Sequence, residues 1–226
     1  MSLVRFQVIP QKRSSRINGC FSFLSLFRHQ IQRPGSPCAF RTYGKKRKSE
    51  TEEIHPKQQG NTTRFGGVQR YYAYFRQHID ATIWKTAGDA AHARAINLFH
   101  KTNGHCFDDK GKLVDLATFK FSHGELLLPR NIAVVRDGDT FRVTWEEERH
   151  ERNAAPSDRL CVGLVYDRYP DSPHLAIEVS GTRGDLRGEF RPDKDYDSPL
   201  HIYCFWARED GSAFSESIHF LAEGND

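Results

Sequence analysis

Near residue 119 the apolar side chains change their spacing, and that change limits the folds open to the chain. Before it, Val68, Tyr71, Tyr72, Phe75, Ile79 and Ile83 recur at i, i+3, i+4 intervals, which makes one stripe along a helix. After it, Phe141, Val143 and Trp145 alternate with polar neighbours, as do Leu160, Val162, Leu164 and Tyr166. Leu200, Ile202, Cys204 and Trp206 follow the same rule, and Phe214, Glu216, Ile218 and Phe220 alternate with Ser215, Ser217 and His219. Alternation with a period of two suits antiparallel strands buried on one face. Several such strands spaced by roughly 8–12 residues predict a β-sandwich.

The expected fold is therefore α+β, a helical hairpin at 63–104 packed with a C-terminal antiparallel β-sandwich at 113–222. One helix is expected to begin after Gly66-Gly67 and to close at Gly88. Asp89 then caps a second helix carrying Ala91, Ala95, Leu98 and Phe99, which stops at Asn103-Gly104. The predicted strands are Phe119–Ser122, Glu125–Leu128, Ile132–Val135, Thr140–Glu146, Leu160–Tyr166, His174–Val179, Leu186–Phe190, Leu200–Trp206 and Ala213–Phe220. Asp137-Gly138-Asp139 reads as a hairpin turn.

Charge is segregated along the chain. Residues 1–49 hold eleven Lys and Arg and no Asp or Glu, so they carry +11; with a total of +4, residues 50–226 carry −7. Residues 1–62 read as a basic, largely disordered arm and linker. A basic arm on an acidic body also suits contact with nucleic acid or another polyanion, and Lys45, Lys46, Arg47 and Lys48 are the candidate contacts. The same run matches a nuclear signal, and the Arg-rich, acid-free start matches a transit peptide. No apolar run approaches the ~20 residues of a membrane span. Five cysteines, an odd number without a CxxC pair, suit reduced thiols and a cytoplasmic location by default. Cys161 and Cys204 read as two small buried apolar residues, with facing each other across the sandwich as the alternative.

Asp115–Leu126, the strand ending at Trp145, Ser157-Asp158-Arg159-Leu160 and Asp210–Ile218 occur in one order. Together they resemble a bacterial family of domains of unknown function, numbered 6266 and found mainly in Bacteroidota. The similarity spans roughly residues 55–222. It implies a helical middle and an immunoglobulin-like or fibronectin-like C-terminal sandwich. Arg16-Ile17-Asn18-Gly19-Cys20-Phe21-Ser22 also resembles that family's start, but Phe23-Leu24-Ser25-Leu26 stands where relatives usually have Gly-Lys-Val-Gly. The family supplies no activity and no binding residue to carry over.

Several short patterns bear on chemistry. Arg183-Gly184-Asp185 is the tripeptide integrins read, placed between two predicted strands; Gly, Arg and Asp are also ordinary turn residues. His100, His105 and Cys106 are metal-ligand types near a helix end, but zinc needs about four converging ligands. His92 is two turns from His100. Glu146, Glu147, Glu148, Glu151 and Asp158 are interleaved with Arg149, His150, Arg152 and Arg159, the pattern of a solvated loop. Asp193, Asp195 and Asp197 lack the Gly and terminal Glu of a calcium loop. Ser215 and Ser217 share a segment with His219, without the elbow an acyl-transfer nucleophile needs. Tyr71, Tyr72 and Phe75 beside Arg70 and Arg76 have the composition of a base-stacking platform and the spacing of a core stripe. The expectation is a non-enzymatic interaction or structural module, without cofactor, metal or small-molecule substrate, that associates with a protein partner or with itself. The alternative is a polyanion-binding protein using residues 1–49.

Overall fold

The computed structural model describes residues 56–146, 153–192 and 198–223. Three helices come first: α1 (Pro56–His78), α2 (Ala81–Ala90) and α3 (Ala95–Asn103). The expected hairpin of two helices is thus corrected to three. Asp80 makes the extra break. Its extended backbone and its carboxylate, which accepts from Thr82 N at 2.7 Å and Thr82 Oγ1 at 2.6 Å, start a new helix. Ile79 and Ile83 keep the apolar spacing across that break, so periodicity hides it.

The expected helix start after Gly66-Gly67 is also corrected, because α1 begins at Pro56 and runs through both glycines and across the 62/63 boundary. Pro fits the first turn, where its missing N–H is not needed. Gly67 serves close approach: a Cβ there would lie 2.2 Å from Gly111 O. Nor does Gly88 end a helix. α2 continues to Ala90 with Asp89 inside it, and Arg94 precedes α3 without a side-chain cap.

Between α3 and the first strand, the predicted strands Phe119–Ser122 and Glu125–Leu128 are absent. Their backbone groups find other partners. Asn103 donates through Nδ2 to Lys120 O and accepts from Lys120 N, at 2.9 and 2.8 Å. Phe121 N donates to Ser217 Oγ, and Leu126 N donates to Phe214 O. Alternating burial here reflects a segment laid between layers and stitched down point by point.

Among the described residues seven strands follow: β1 (Arg130–Asp137), β2 (Thr140–Glu146), β3 (Arg159–Tyr166), β4 (His174–Leu175), β5 (Arg187–Phe190), β6 (Leu200–Ala207) and β7 (Ile218–Ala222). They form two antiparallel sheets, ordered β1-β2-β5 and β4-β3-β6-β7. The hairpin turn at Gly138-Asp139 forms as expected, with Gly138 at φ +63° and Asp137 paired to Thr140. The strand expected over His174–Val179 shrinks to two residues, because the chain leaves the sheet at Ile177, which is 83% exposed. The last strand starts at Ile218 rather than Ala213.

β6 is buried at every position. Ile202, Cys204 and Trp206 enter one apolar core with Val143, Trp145, Val162, Leu164 and Phe190, shared by both sheets. Tyr203, Phe205 and Ala207 enter a second core with Phe75, Trp84, Phe99 and Phe121. The four-stranded sheet is therefore a middle layer, with helices on one face and the three-stranded sheet on the other. Each large apolar side chain buried this way is worth ~1.5–3 kcal/mol. Cys161 and Cys204 do not face each other across the two sheets. They sit on neighbouring strands, Cys161 opposite Phe205 and Cys204 opposite Val162, with Cys161 toward the helices and Cys204 toward the other sheet.

Candidate functional site

A cluster of polar residues lies on β6 and β7, at the helix-facing side of the middle sheet. Tyr203 pairs with His219 and His201 with Leu221, so His201 and His219 are diagonal neighbours on one face. His201 Nδ1 is 2.8 Å from His219 Nε2, and the rings stack with centroids 5.1 Å apart. The other nitrogen of His201, Nε2, lies 3.6 Å from Asp167 Oδ1 in the β3–β4 connection. Tyr203 packs its ring against His219 and donates its hydroxyl to Leu116 O at 2.7 Å.

Burial lowers the affinity of both imidazoles for a second proton. It pushes His201 down, against the pull of Asp167. It pushes His219 down to about 4, assisted by His201 and Lys120 and opposed by Asp115. At neutral pH the pair is neutral, one ring donating and the other accepting. Only two nitrogens converge, and among the described residues no group of three or more His, Cys, Asp or Glu is arranged to hold a metal ion. The arrangement can share and store a proton between two strands. His219 was visible in the sequence beside the serines. His201 and Asp167 were not, although a histidine among large apolar residues of a central strand is the signal that points to them.

A second polar group lies beneath α1. Cys106 Sγ is 3.5 Å from both His105 Nε2 and Thr118 Oγ1, and Thr118 Oγ1 donates to Asp115 Oδ2 at 2.5 Å. Burial pushes the Cys106 thiol up to about 11, so it is held as a thiol rather than as the nucleophilic thiolate. His100 packs its ring at a tilt against Phe65 instead of joining this group.

The remaining sequence candidates fall as follows. Arg183 of the Arg-Gly-Asp tripeptide is buried, so the integrin-type reading is corrected. Its Nε lies 3.2 Å from Asp158 Oδ2, its Nη2 donates to Leu127 O at 2.6 Å, and its guanidinium lies over the Trp206 ring. Asp185 accepts from Thr182 N and Oγ1 at 2.7 and 2.8 Å, which closes the local turn and lowers its pKa. Ser215 Oγ accepts from Trp206 N, Ser217 Oγ accepts from Phe121 N, and both serines are buried. Tyr71, Tyr72 and Phe75 are core residues packed on Phe99, so no base-stacking platform exists there. Asp158, expected in a solvated loop, is fully buried. Lys45, Lys46, Arg47 and Lys48 lie outside the described residues, as do Glu147, Glu148, Glu151, Asp193, Asp195 and Asp197.

Open grooves flank α2. One of about 300 Å³ is lined by Thr86, Asp89, Glu125, Ser212 and Phe214, the other of about 490 Å³ by Lys85, Asp89, His92 and Arg94. Among the described residues, no helix is long and apolar enough to cross a membrane. No family model matches the chain, and neither a curated protein nor a solved structure matches it.

Proposed function

We propose that the protein is a non-enzymatic interaction module that assembles with copies of itself. On this reading the two sheets form an immunoglobulin-like or fibronectin-like sandwich, with the helices added to one face. The number of strands, their antiparallel pairing and the shared core support that description. Kinship with family 6266 belongs to the same reading. Its support is that Asp115–Leu126 and Asp210–Ile218, two stretches that carry the resemblance, are joined through Phe121, Leu126, Phe214 and Ser217.

The observation that carries the assembly reading is that, among the described residues, four of the seven exposed large apolar ones, Phe65, Val114 and Tyr169 being the others, lie on or beside edge strands. Val135 is on β1, Leu221 on β7, Leu186 just before β5 and Ile177 just after β4. Those four strands are the edges of the two sheets. Edge strands with exposed apolar side chains are templates for pairing with another chain. Size-exclusion chromatography with light scattering tests this. An oligomer is expected, and a clean monomer at high concentration overturns the reading.

The charge segregation favours a second reading, in which residues 1–49, with Lys45, Lys46, Arg47 and Lys48, hold a polyanion such as nucleic acid. Binding would then weaken steeply with salt and vanish on deletion of residues 1–49. Absence of binding by the full chain at low salt excludes it.

A further inference from the structure

Edge strand β7 is tied to β6 by a side-chain bond as well as by its ladder. Among the described residues β7 has β6 as its only sheet neighbour, and it covers the inter-sheet core with Phe220 and Ala222. The His201–His219 bond crosses between these two strands. We propose that this histidine pair is an acid-responsive latch, which holds β7 to the sheet edge while it shares one hydrogen and releases the strand when both rings are protonated.

The geometry dictates the response. With no added proton, or with one, the facing nitrogens supply one N–H and one lone pair, and the 2.8 Å contact is a hydrogen bond. With two added protons, N–H faces N–H and two positive rings stand in contact where burial limits screening by water. The groups around the pair decide the order of protonation. Asp167, from the β3–β4 connection, lies 3.6 Å from His201 Nε2 and favours the first proton there. From the segment between α3 and β1, Asp115 favours a charge on His219 and Lys120 opposes it. Lys120 is itself paired with Glu216 at 3.4 Å, just before β7. Tyr203, on β6, contributes its ring and stays neutral, because burial raises its phenol well above the usual value. The first proton therefore leaves the bond intact and the second breaks it.

Amide hydrogen exchange on the full chain between pH 7 and pH 4, corrected for intrinsic exchange, tests the latch. Once opening takes up a proton, the protection of Ile218–Ala222 is expected to fall roughly tenfold per pH unit. Protection in β2 should stay higher than in β7 throughout, falling only with the global stability of the chain. His219→Gln keeps a hydrogen-bonding side chain but does not titrate, so its β7 protection should fall less steeply with pH than in the wild type. Asp167→Asn, on an exposed connection, removes the carboxylate that favours the first proton on the closed pair, and should move the opening to higher pH. If wild-type β7 protection does not fall with acid, or is no lower than that of β2 at any pH, the latch does not exist. Should His219→Gln fail to fold, the wild-type profile and Asp167→Asn still decide the question.

Discussion

Arg183 and Asp158 form an ion pair inside the protein, with Nε 3.2 Å from Oδ2, the carboxylate fully buried and the guanidinium nearly so. Asp158 Oδ2 also accepts from Ala155 N, and Trp145 Nε1 donates to Arg183 O. The pair thus fastens the loop before β3 to the turn before β5. Removing one partner of a buried pair strands the other charge, at a cost of about 3–5 kcal/mol. Asp158→Ala should therefore lower stability by about that amount in urea unfolding. Combining it with Arg183→Met should recover part of the loss, and additivity of the two changes would rule out direct coupling.

Gly66 and Gly67 are neighbours in α1 with opposite surroundings. A Cβ on Gly66 would meet only Arg70 Nη1 at 3.6 Å, whereas on Gly67 it would press into the Gly111 backbone. Gly66→Ala should stabilise by about 0.5–1 kcal/mol, the usual gain from replacing glycine in a helix. Gly67→Ala should destabilise by about 1–3 kcal/mol, as overpacking does. Thermal melts of the two variants should move in opposite directions.

What the sequence made legible is what local spacing encodes. The β1–β2 hairpin was readable because Gly138 supplies the left-handed backbone its turn requires. The α1–α2 break was not, because Asp80 falls between Ile79 and Ile83 without disturbing their register. Phe119 and Phe121 alternate like strand residues, yet their segment is held by Asn103 and Ser217, which lie far off in sequence. His201 was not singled out, because nothing local announces that its strand is buried on both faces. Arg183 looked like a surface turn residue for the same reason, since Asp158, which buries it, lies 25 residues away.

The described thiols should be inert in the folded chain. Cys106 and Cys161 are both pushed up to about 11 by burial, and Cys204 is raised further and fully buried. With a pKa near 11, the thiolate fraction at pH 8 is roughly a thousandth. Iodoacetamide at pH 8 should leave all three unmodified by peptide mass spectrometry, and urea should expose them together. Rapid labelling of Cys106 in the native protein would contradict this environment.

Stability should fall with acid in two stages. His201 and His219 have folded pKa values below the ordinary 6.5, so the folded chain binds fewer protons than the unfolded one in that range. Their contribution is complete above pH 6.5 and is lost as pH falls toward about 4. Asp115, Asp185 and Asp210 are lowered from 3.8, so theirs is lost only below that value. The urea midpoint, followed by tryptophan fluorescence, should decline between pH 6.5 and 4 and again below 3.8. A midpoint that is constant from pH 7 to pH 4 would exclude the first stage.

Self-association through sheet edges should be sensitive to charge placed on them. Val135 and Leu221 are 41% and 42% exposed, and they lie on β1 and β7 at the edges of different sheets. A lysine at either position keeps its aliphatic stem on the strand and puts an ammonium where another copy's strand would pack. The surface cost to the monomer is small, within ±0.5 kcal/mol away from special features. A pairing chain, by contrast, would have to desolvate the charge. Val135→Lys and Leu221→Lys should therefore leave the melting temperature almost unchanged while shifting the light-scattering mass toward monomer. The variant that shifts it identifies the edge in use, because the two residues belong to different sheets. If both variants retain the wild-type mass while the wild type is oligomeric, the association runs through another surface.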